Sequence, residues 1–438
     1  MEKNYLRNKK LTRRNMMKLM GATAGASMIT LPGNLSANIP NSGKLRFQIE
    51  TGPGTDFLKV VEEFRKDVPG IKVEYSQVDP GAVGPHWARN AMRNGVVDLA
   101  SNESPKFFFL DPVLEMDLLA PLDEYSELYN WEKFIHPNAI KVSRRDGKLW
   151  TLPLYYEVTG AVYKKSLLKK LGGKEPQNWN DFVDMLKEIK SMGIIPYGTG
   201  QRGFGFIMMM HYQMWASTGG VSGKGSITDV IFGNGKFTDE PCVRAAQGIL
   251  DLFNMGLIDQ DILSIDLTNS AERFFKGDLA LHSTGTWVFP ECQRRLGDDW
   301  DMLTVPGPGG NKPVWCLGET EAFVIPKNAK DPKAAARFLD YCVQGNGAKI
   351  LVESGNLLST SAFSHLAIPQ VKKLPIVTGE PSSLLIFGWL PEPSQDAYQQ
   401  GLGGMLGGRL SPEQWAENVQ KAWEQDLETL NVNRSDLL

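Results

Sequence analysis

Cysteine is scarce in this 438-residue chain: Cys242, Cys292, Cys316 and Cys342 all fall in the second half, and none forms a C-x-x-C pair. That placement argues against a zinc ribbon and against thioredoxin-type redox chemistry. One disulfide would suit an exported chain, and buried free thiols would suit a core of this size equally well. Histidine is nearly as rare, and none of His86, His136, His211, His282 and His365 stands in an HExxH or other metal spacing. Gly203-Phe204-Gly205 lacks the third glycine of a dinucleotide fingerprint. In Gly219 to Gly225 a threonine, Thr218, stands where a P-loop needs its first glycine, and Gly225 replaces the magnesium-binding hydroxyl. There is no G-x-S-x-G elbow, no internal repeat, and no basic run after residue 18 that would suit a nucleic acid. Paired carboxylates are not excluded among 50 acidic residues, so an exported glycoside-active enzyme stays open.

What the chain has first is an address. Residues 1–18 hold seven basic residues against the single acid Glu2, and Leu19 to Gly43 carry no charge. The apolar stretch Leu19 to Leu31 ends at Pro32-Gly33, short of the ~20 residues that span a bilayer, and reads as an export signal. Within it Thr12-Arg13-Arg14-Asn15-Met16-Met17-Lys18 resembles the bacterial twin-arginine motif, which a receptor reads as a destination. Cleavage after Ala37 would leave a chain starting near Asn38. With no cysteine beside the signal, that chain is expected to be soluble and not lipid-anchored. The net charge of −3 is then an average of two parts, because removing residues 1–37 leaves 40 basic against 49 acidic residues.

Behind the leader, Leu45, Phe47 and Ile49 alternate as in a strand. Phe57, Val60, Val61, Phe64 and Val68 recur at helical spacing, Pro69-Gly70 stops them, and Ile71, Val73 and Tyr75 alternate again. Strand, helix and strand in about thirty residues predict a βαβ unit with a parallel crossover, and Val96 to Ala100 a third strand. Ligands of such sheets sit at the carboxyl ends of the strands, here Glu50 to Gly54 and Ser101 to Ser104. Leu149 to Tyr163 is aromatic and strand-like. Beyond it helices are expected at Asp181 to Met192, capped by Asn180, and at Val243 to Phe253, Pro332 to Val343 and Leu410 to Leu427. Strands are expected at Leu279 to His282, Met302 to Val305 and Ala322 to Ile325.

Among the 11 tryptophans, Trp179, Trp415 and Trp423 read as packing. Trp287, Trp315 and Trp389 stand beside glycines at expected strand ends. Flat apolar rings near carboxylates and amides suit polyols and sugars, whose C–H faces stack while their hydroxyls hydrogen-bond.

Several stretches together resemble the family 1 extracellular solute-binding proteins, the sugar-binding components of bacterial ABC importers. They are Glu62 to Val73; Leu118-Leu119-Ala120-Pro121-Leu122-Asp123-Glu124-Tyr125; Gly147 to Pro153 with Val162-Tyr163-Lys164-Lys165; Asn178-Trp179-Asn180-Asp181-Phe182; Phe275 to Leu281 with Gly285-Thr286-Trp287; and Ala334 to Tyr341. They keep the family's order over residues 45–355. The resemblance implies a two-lobed α/β fold of the type II periplasmic-binding-protein kind, each lobe a mixed sheet flanked by helices, joined by hinge strands. Residues 44–155 with about 317–365 would form lobe 1, and 156–316 with about 366–438 lobe 2. It implies a periplasmic or extracellular monomer that clamps a carbohydrate by hinge closure and hands it to a permease, with no catalysis, cofactor, metal or nucleic acid. Joining both lines of argument, the expected ligand contacts are Glu50, Asn102 and Glu103 at strand ends, Tyr155, Tyr156 and Glu157 at the crossing, and Gln201 and Arg202 after Thr199-Gly200. Trp287 is expected as a stacking platform, with Glu319 and Trp389 completing the set. The plain alternative for Glu103 or Arg202 is a surface ion pair. A cofactor-loaded redox protein, which twin-arginine export would suit, lacks ligand motifs. A solute-binding protein for a ligand other than a sugar remains the nearer alternative.

Overall fold

The computed structural model describes residues 40–50, 57–78, 87–102, 104–310 and 312–437, apart from the side chains of Glu50, Asn102 and Asp436. The leader, its twin-arginine stretch and the expected cleavage point lie outside the described residues, as do the loop after Glu50 and the whole of Glu103.

The alternation at the start of the described chain produces the strand β1 (Gly43–Glu50), with Leu45, Phe47 and Ile49 buried. The helix Phe57–Asp67 then buries Phe57, Val60, Val61 and Phe64. It returns the chain to β2 (Ile71–Val78), which pairs parallel with β1 from Gly43↔Ile71 to Glu50↔Val78. β3 (Leu99–Asn102) joins the other side of β1 in parallel. A short hairpin, β4 (Arg144–Arg145) and β5 (Lys148–Leu149), stands apart. β6 (Leu152–Pro153) and β12 (Ala322–Val324) complete a five-stranded sheet of order β2-β1-β3-β12-β6. Phe47 sits at its centre, with ring centroids 5.1 Å from Phe338, 5.8 Å from Phe57 and 6.0 Å from Phe323.

A second, six-stranded sheet is built around β7 (Tyr156–Tyr163). β9 (Leu279–Gly285), β10 (Asp301–Leu303) and β11 (Cys316–Glu319) pair with it antiparallel. β8 (Ile195–Gly198) lies parallel to β9, and β13 (Ser383–Leu384) parallel to β11. The helices Ile207–Gly219, Glu240–Asn254, Glu392–Leu406 and Pro412–Thr429 enclose its core, where Trp215, Trp415 and Trp423 are fully buried. Asn178, not Asn180, caps the helix Trp179–Ser191: its side chain accepts from the Asp181 N–H, so Trp179 lies in the first turn and contacts Phe182. Either asparagine fits a capping pattern, and the helix buries Phe182, Leu186 and Ile189.

The chain passes between the sheets at Leu154–Tyr155 and again at Thr320–Glu321. The two passages are stitched together, Thr320 N–H donating to the Tyr155 carbonyl (3.2 Å) and Leu154 N–H to that of Glu321 (3.4 Å). Leu357 to Ser359 runs beside them, its carbonyl at Leu357 accepting from Tyr156 N–H (3.0 Å) and Ser359 N–H donating to Leu154 (2.8 Å). All four cysteines are free and buried. Among the described residues no helix is long and apolar enough to cross a membrane, and no three metal-ligating side chains gather.

Candidate functional site

The crossing is where the strand period sorts side chains to two faces. Tyr156 lies opposite Glu319 and Glu157 opposite Gly318 in the β7–β11 register. Tyr156 and Glu319 therefore share one face, and Glu157 occupies the other across from a residue with no side chain.

On the first face the groups are tied to one another. The Tyr156 hydroxyl donates to Glu319 Oε1 (3.0 Å) and lies 3.1 Å from His136 Nδ1. His136 comes from the five-stranded lobe, where it precedes the helix Pro137–Val142, and its Nδ1 also accepts from Asn138 N–H (3.3 Å). The phenol is held above its ordinary range by burial and by the adjoining carboxylate. His136 is shifted down by burial, against the pull of Glu319.

On the second face Glu157 keeps a partly exposed edge. Burial pushes its carboxyl up to about 7, opposed by the Thr320 hydroxyl and the Lys106 ammonium. Lys106 comes from the other lobe and is fully buried. Its Nζ donates to the carbonyls of Phe387 (2.6 Å) and Leu385 (3.4 Å) and stands 5.6 Å from the centroid of Trp389. Burial drives the lysine down to about 8, while Glu319 and Glu157 hold it up. The glycine at 318 makes room, since a Cβ there would sit 3.2 Å from Lys106 Nζ and 2.8 Å from Leu385 Cβ.

Other expected contacts divide between this place and elsewhere. Trp287 is partly exposed and lies flat on the end of β9, where a Cβ on Gly285 would overlap its ring. The turn that carries it is bound to β7, because Val158 N–H donates to the Thr286 hydroxyl (3.3 Å), which in turn reaches the Tyr156 carbonyl (3.4 Å). Gln201 is buried; its Nε2 donates to the Gln399 carbonyl (2.9 Å), and its Oε1 has no partner. The hydroxyls of Thr199 and Thr284, at the ends of β8 and β9, are likewise buried without a partner. Such atoms call for water or a ligand. Tyr155 is a core residue, edge-on to Phe57 at 6.2 Å. Arg202 is turned outward, 62% exposed and ion-paired with Asp266 at 2.5 Å. Trp389 is buried, edge-on to Phe232 at 4.9 Å, with Lys106 over its face. Glu50, Asn102 and Glu103 cannot be placed, because those side chains lie outside the described residues.

Lys106, His136, Thr320 and Gln399 were not expected at the site from the sequence. Lys106 did carry a signal. It occupies the N-cap of the helix Phe107–Glu115 without making a capping bond, and a cation at the positive end of a helix is unfavourable unless something else holds it.

Comparison with known proteins identifies the family and the fold. The model of a family described as bacterial extracellular solute-binding protein matches residues 49–344. An uncharacterized ABC transporter extracellular-binding protein of Pyrococcus horikoshii is 27% identical over 319 residues, 70% of each chain. The melibiose/raffinose/stachyose-binding protein of Bacillus subtilis is 20% identical over 347 residues, 76% of this chain and 78% of that one. Among solved structures, a chitin oligosaccharide binding protein superposes with a TM-score of 0.73 at 19% identity, covering 88% of this chain and 99% of the other. The GacH receptor of Streptomyces glaucescens, known unliganded and with acarbose, gives 0.71 at 19% identity, with 88% and 99% coverage.

Proposed function

Because the chain belongs to the bacterial extracellular solute-binding proteins, we propose that it captures a carbohydrate between its two lobes and delivers it to an ABC importer. The observation that carries this reading is the second face of the crossing. There a partly exposed carboxylate, a threonine hydroxyl and an ammonium from the opposite lobe converge beside a turn bearing the indole of Trp287. Carboxylate and hydroxyl groups bind sugar hydroxyls, and an indole face takes the C–H side of the ring. The sugars named for the relatives and structural neighbours lean the same way.

In this reading Glu157, Gln201 and Trp287 contact the ligand, with Thr199, Thr284 and Thr320 adding hydroxyls. Glu319 and Tyr156 support the strand pair from behind. The lobes divide at the two passages, near residues 155 and 320, and the chain acts as a monomer on the outer side of the cytoplasmic membrane, exported through its basic leader. The reading is binding without turnover, and the strand register supports it at the crossing: Glu157 and Glu319 project from opposite faces of one strand pair, so this pair does not flank a single glycosidic bond.

The test is to incubate the protein with mono- and oligosaccharides, and with peptides and inorganic anions as controls, following melting temperature and products. A bound sugar at 100 times its Kd raises stability by about 2.7 kcal/mol and is recovered intact. Turnover would remove the binding reading, and a shift with peptides or anions alone would remove the carbohydrate.

A further inference from the structure

One helix belongs to both lobes. Leu110 and Val113 of Phe107–Glu115 lie in the core of the five-stranded lobe, beside Trp87 and Met92. Phe107 and Phe108, at its start, pack on the core of the six-stranded lobe. Phe108 meets Trp423 edge-on at 5.9 Å, and Phe109 meets Phe387 at 5.7 Å. The helix is held to its own lobe by Arg145, whose Nε donates to Asp111 (2.8 Å). Lys106 reaches forward from this base, and each backbone acceptor it uses belongs to the other lobe, 279 and 281 positions along the chain.

The receiving segment is shaped for that side chain. Gly388 has a positive φ of 82°, and a Cβ there would stand 2.7 Å from Ser104 Oγ and 3.0 Å from Lys106 Cδ. Gly318 leaves the space for the ammonium. A buried ion sacrifices its hydration, and a lysine at a helix N-cap opposes the helix dipole. Both costs are offset here by two backbone acceptors and the Trp389 face, all supplied by the chain itself.

We propose that Lys106 is the positioning residue of closure: the turn Lys106–Phe109 is a clamp with which the protein holds its lobes together before any solute arrives. A ligand can shift a conformational equilibrium only by its differential affinity for the two states. Solute entry here must first release the clamp, and apparent affinity is reduced by the fraction of molecules open at any moment. The inference rests on the two-lobed fold and not on the identity of the solute.

Spin labels report the distance between the lobes directly. Glu115 and Lys421 are exposed, one on the clamp helix and one on the Pro412–Thr429 helix that bears Trp423, and the four native cysteines are buried. Glu115→Cys and Lys421→Cys can therefore be labelled selectively in the full chain, without added sugar. The expected result is one dominant short distance matching the structure, with a longer population appearing in Lys106→Glu while the melting temperature shows a folded protein. A residue that merely stabilised the fold would lower the melting temperature and leave the distance alone. If Lys106→Glu does not fold, Phe109→Ala with Phe387→Ala asks the same question of the seam. A dominant long distance in the solute-free parent overturns the proposal, as does an unchanged short distance in folded clamp variants.

Discussion

The two faces of the β7–β11 pair carry carboxylates in opposite circumstances. Glu319 is nearly covered and accepts from Tyr156, whose ring in turn meets a histidine rooted in the neighbouring lobe. Glu157, one register position away, faces a glycine and is itself partly exposed. One carboxylate is spent on the scaffold and the other is left available. The strand period alone separates them, so a single backbone presents a braced face and a partly exposed face, proposed as the receptive one, at the point where the lobes meet.

The sharpest way to break this comparison is to remove each carboxylate in turn. Glu157→Ala should weaken sugar binding by roughly 10–100-fold, the worth of a hydrogen bond to a charged group, with little loss of melting temperature. Glu319→Ala should do the reverse, lowering the melting temperature by several degrees and changing affinity less than about threefold, because it leaves a buried phenol without its acceptor. Titration calorimetry and thermal melts on both variants check the pair, and identical profiles would erase the distinction. Next in size, Trp287→Ala should cost about tenfold in affinity as the stacking face is lost.

Acid sharpens the same contrast. Burial raises the Glu157 carboxyl from 4.5 to about 7, so the folded protein holds that proton more tightly than the unfolded chain. Its contribution to stability is complete below about pH 4.5 and is lost as the pH rises to about 7. Glu157→Gln cannot titrate. Its melting temperature relative to the parent should therefore climb by a few degrees between pH 4.5 and 7 and stay level above, and a gap independent of pH would contradict the assigned burial. Smallest of all, Arg202→Ala should change stability by no more than about 0.5 kcal/mol and leave affinity unaltered, since its partner Asp266 lies in an exposed pair.

Much of the first lobe was legible in the sequence because its signals are local. Phe57, Val60, Val61 and Phe64 fall on one stripe and are buried on it, and β1 and β2 pair in parallel as a short crossover requires. The crossing was legible as a change from helical to strand-like patterning, and it brought Tyr156 and Glu157 forward. What no local pattern could supply was the register that sets Tyr156 opposite Glu319 and Glu157 opposite Gly318, or the partner of Trp389. A tryptophan beside a glycine reads as an open platform. Here its face lies under Lys106, whose carbonyl acceptor at Phe387 is 281 residues further along the chain. Arg202 shows the same limit from the other side, since only the fold brings Asp266 within 2.5 Å and turns the pair outward.

The most direct test of the central claim, that Glu157 marks the solute-binding face, is calorimetric titration of the parent and Glu157→Gln with the saccharide that most raises the parent's melting temperature. The account predicts that the parent binds and returns the sugar intact, with Glu157→Gln at least about tenfold weaker at pH 8.5, well above the carboxyl's value of about 7. Equal affinity in the two proteins would contradict it.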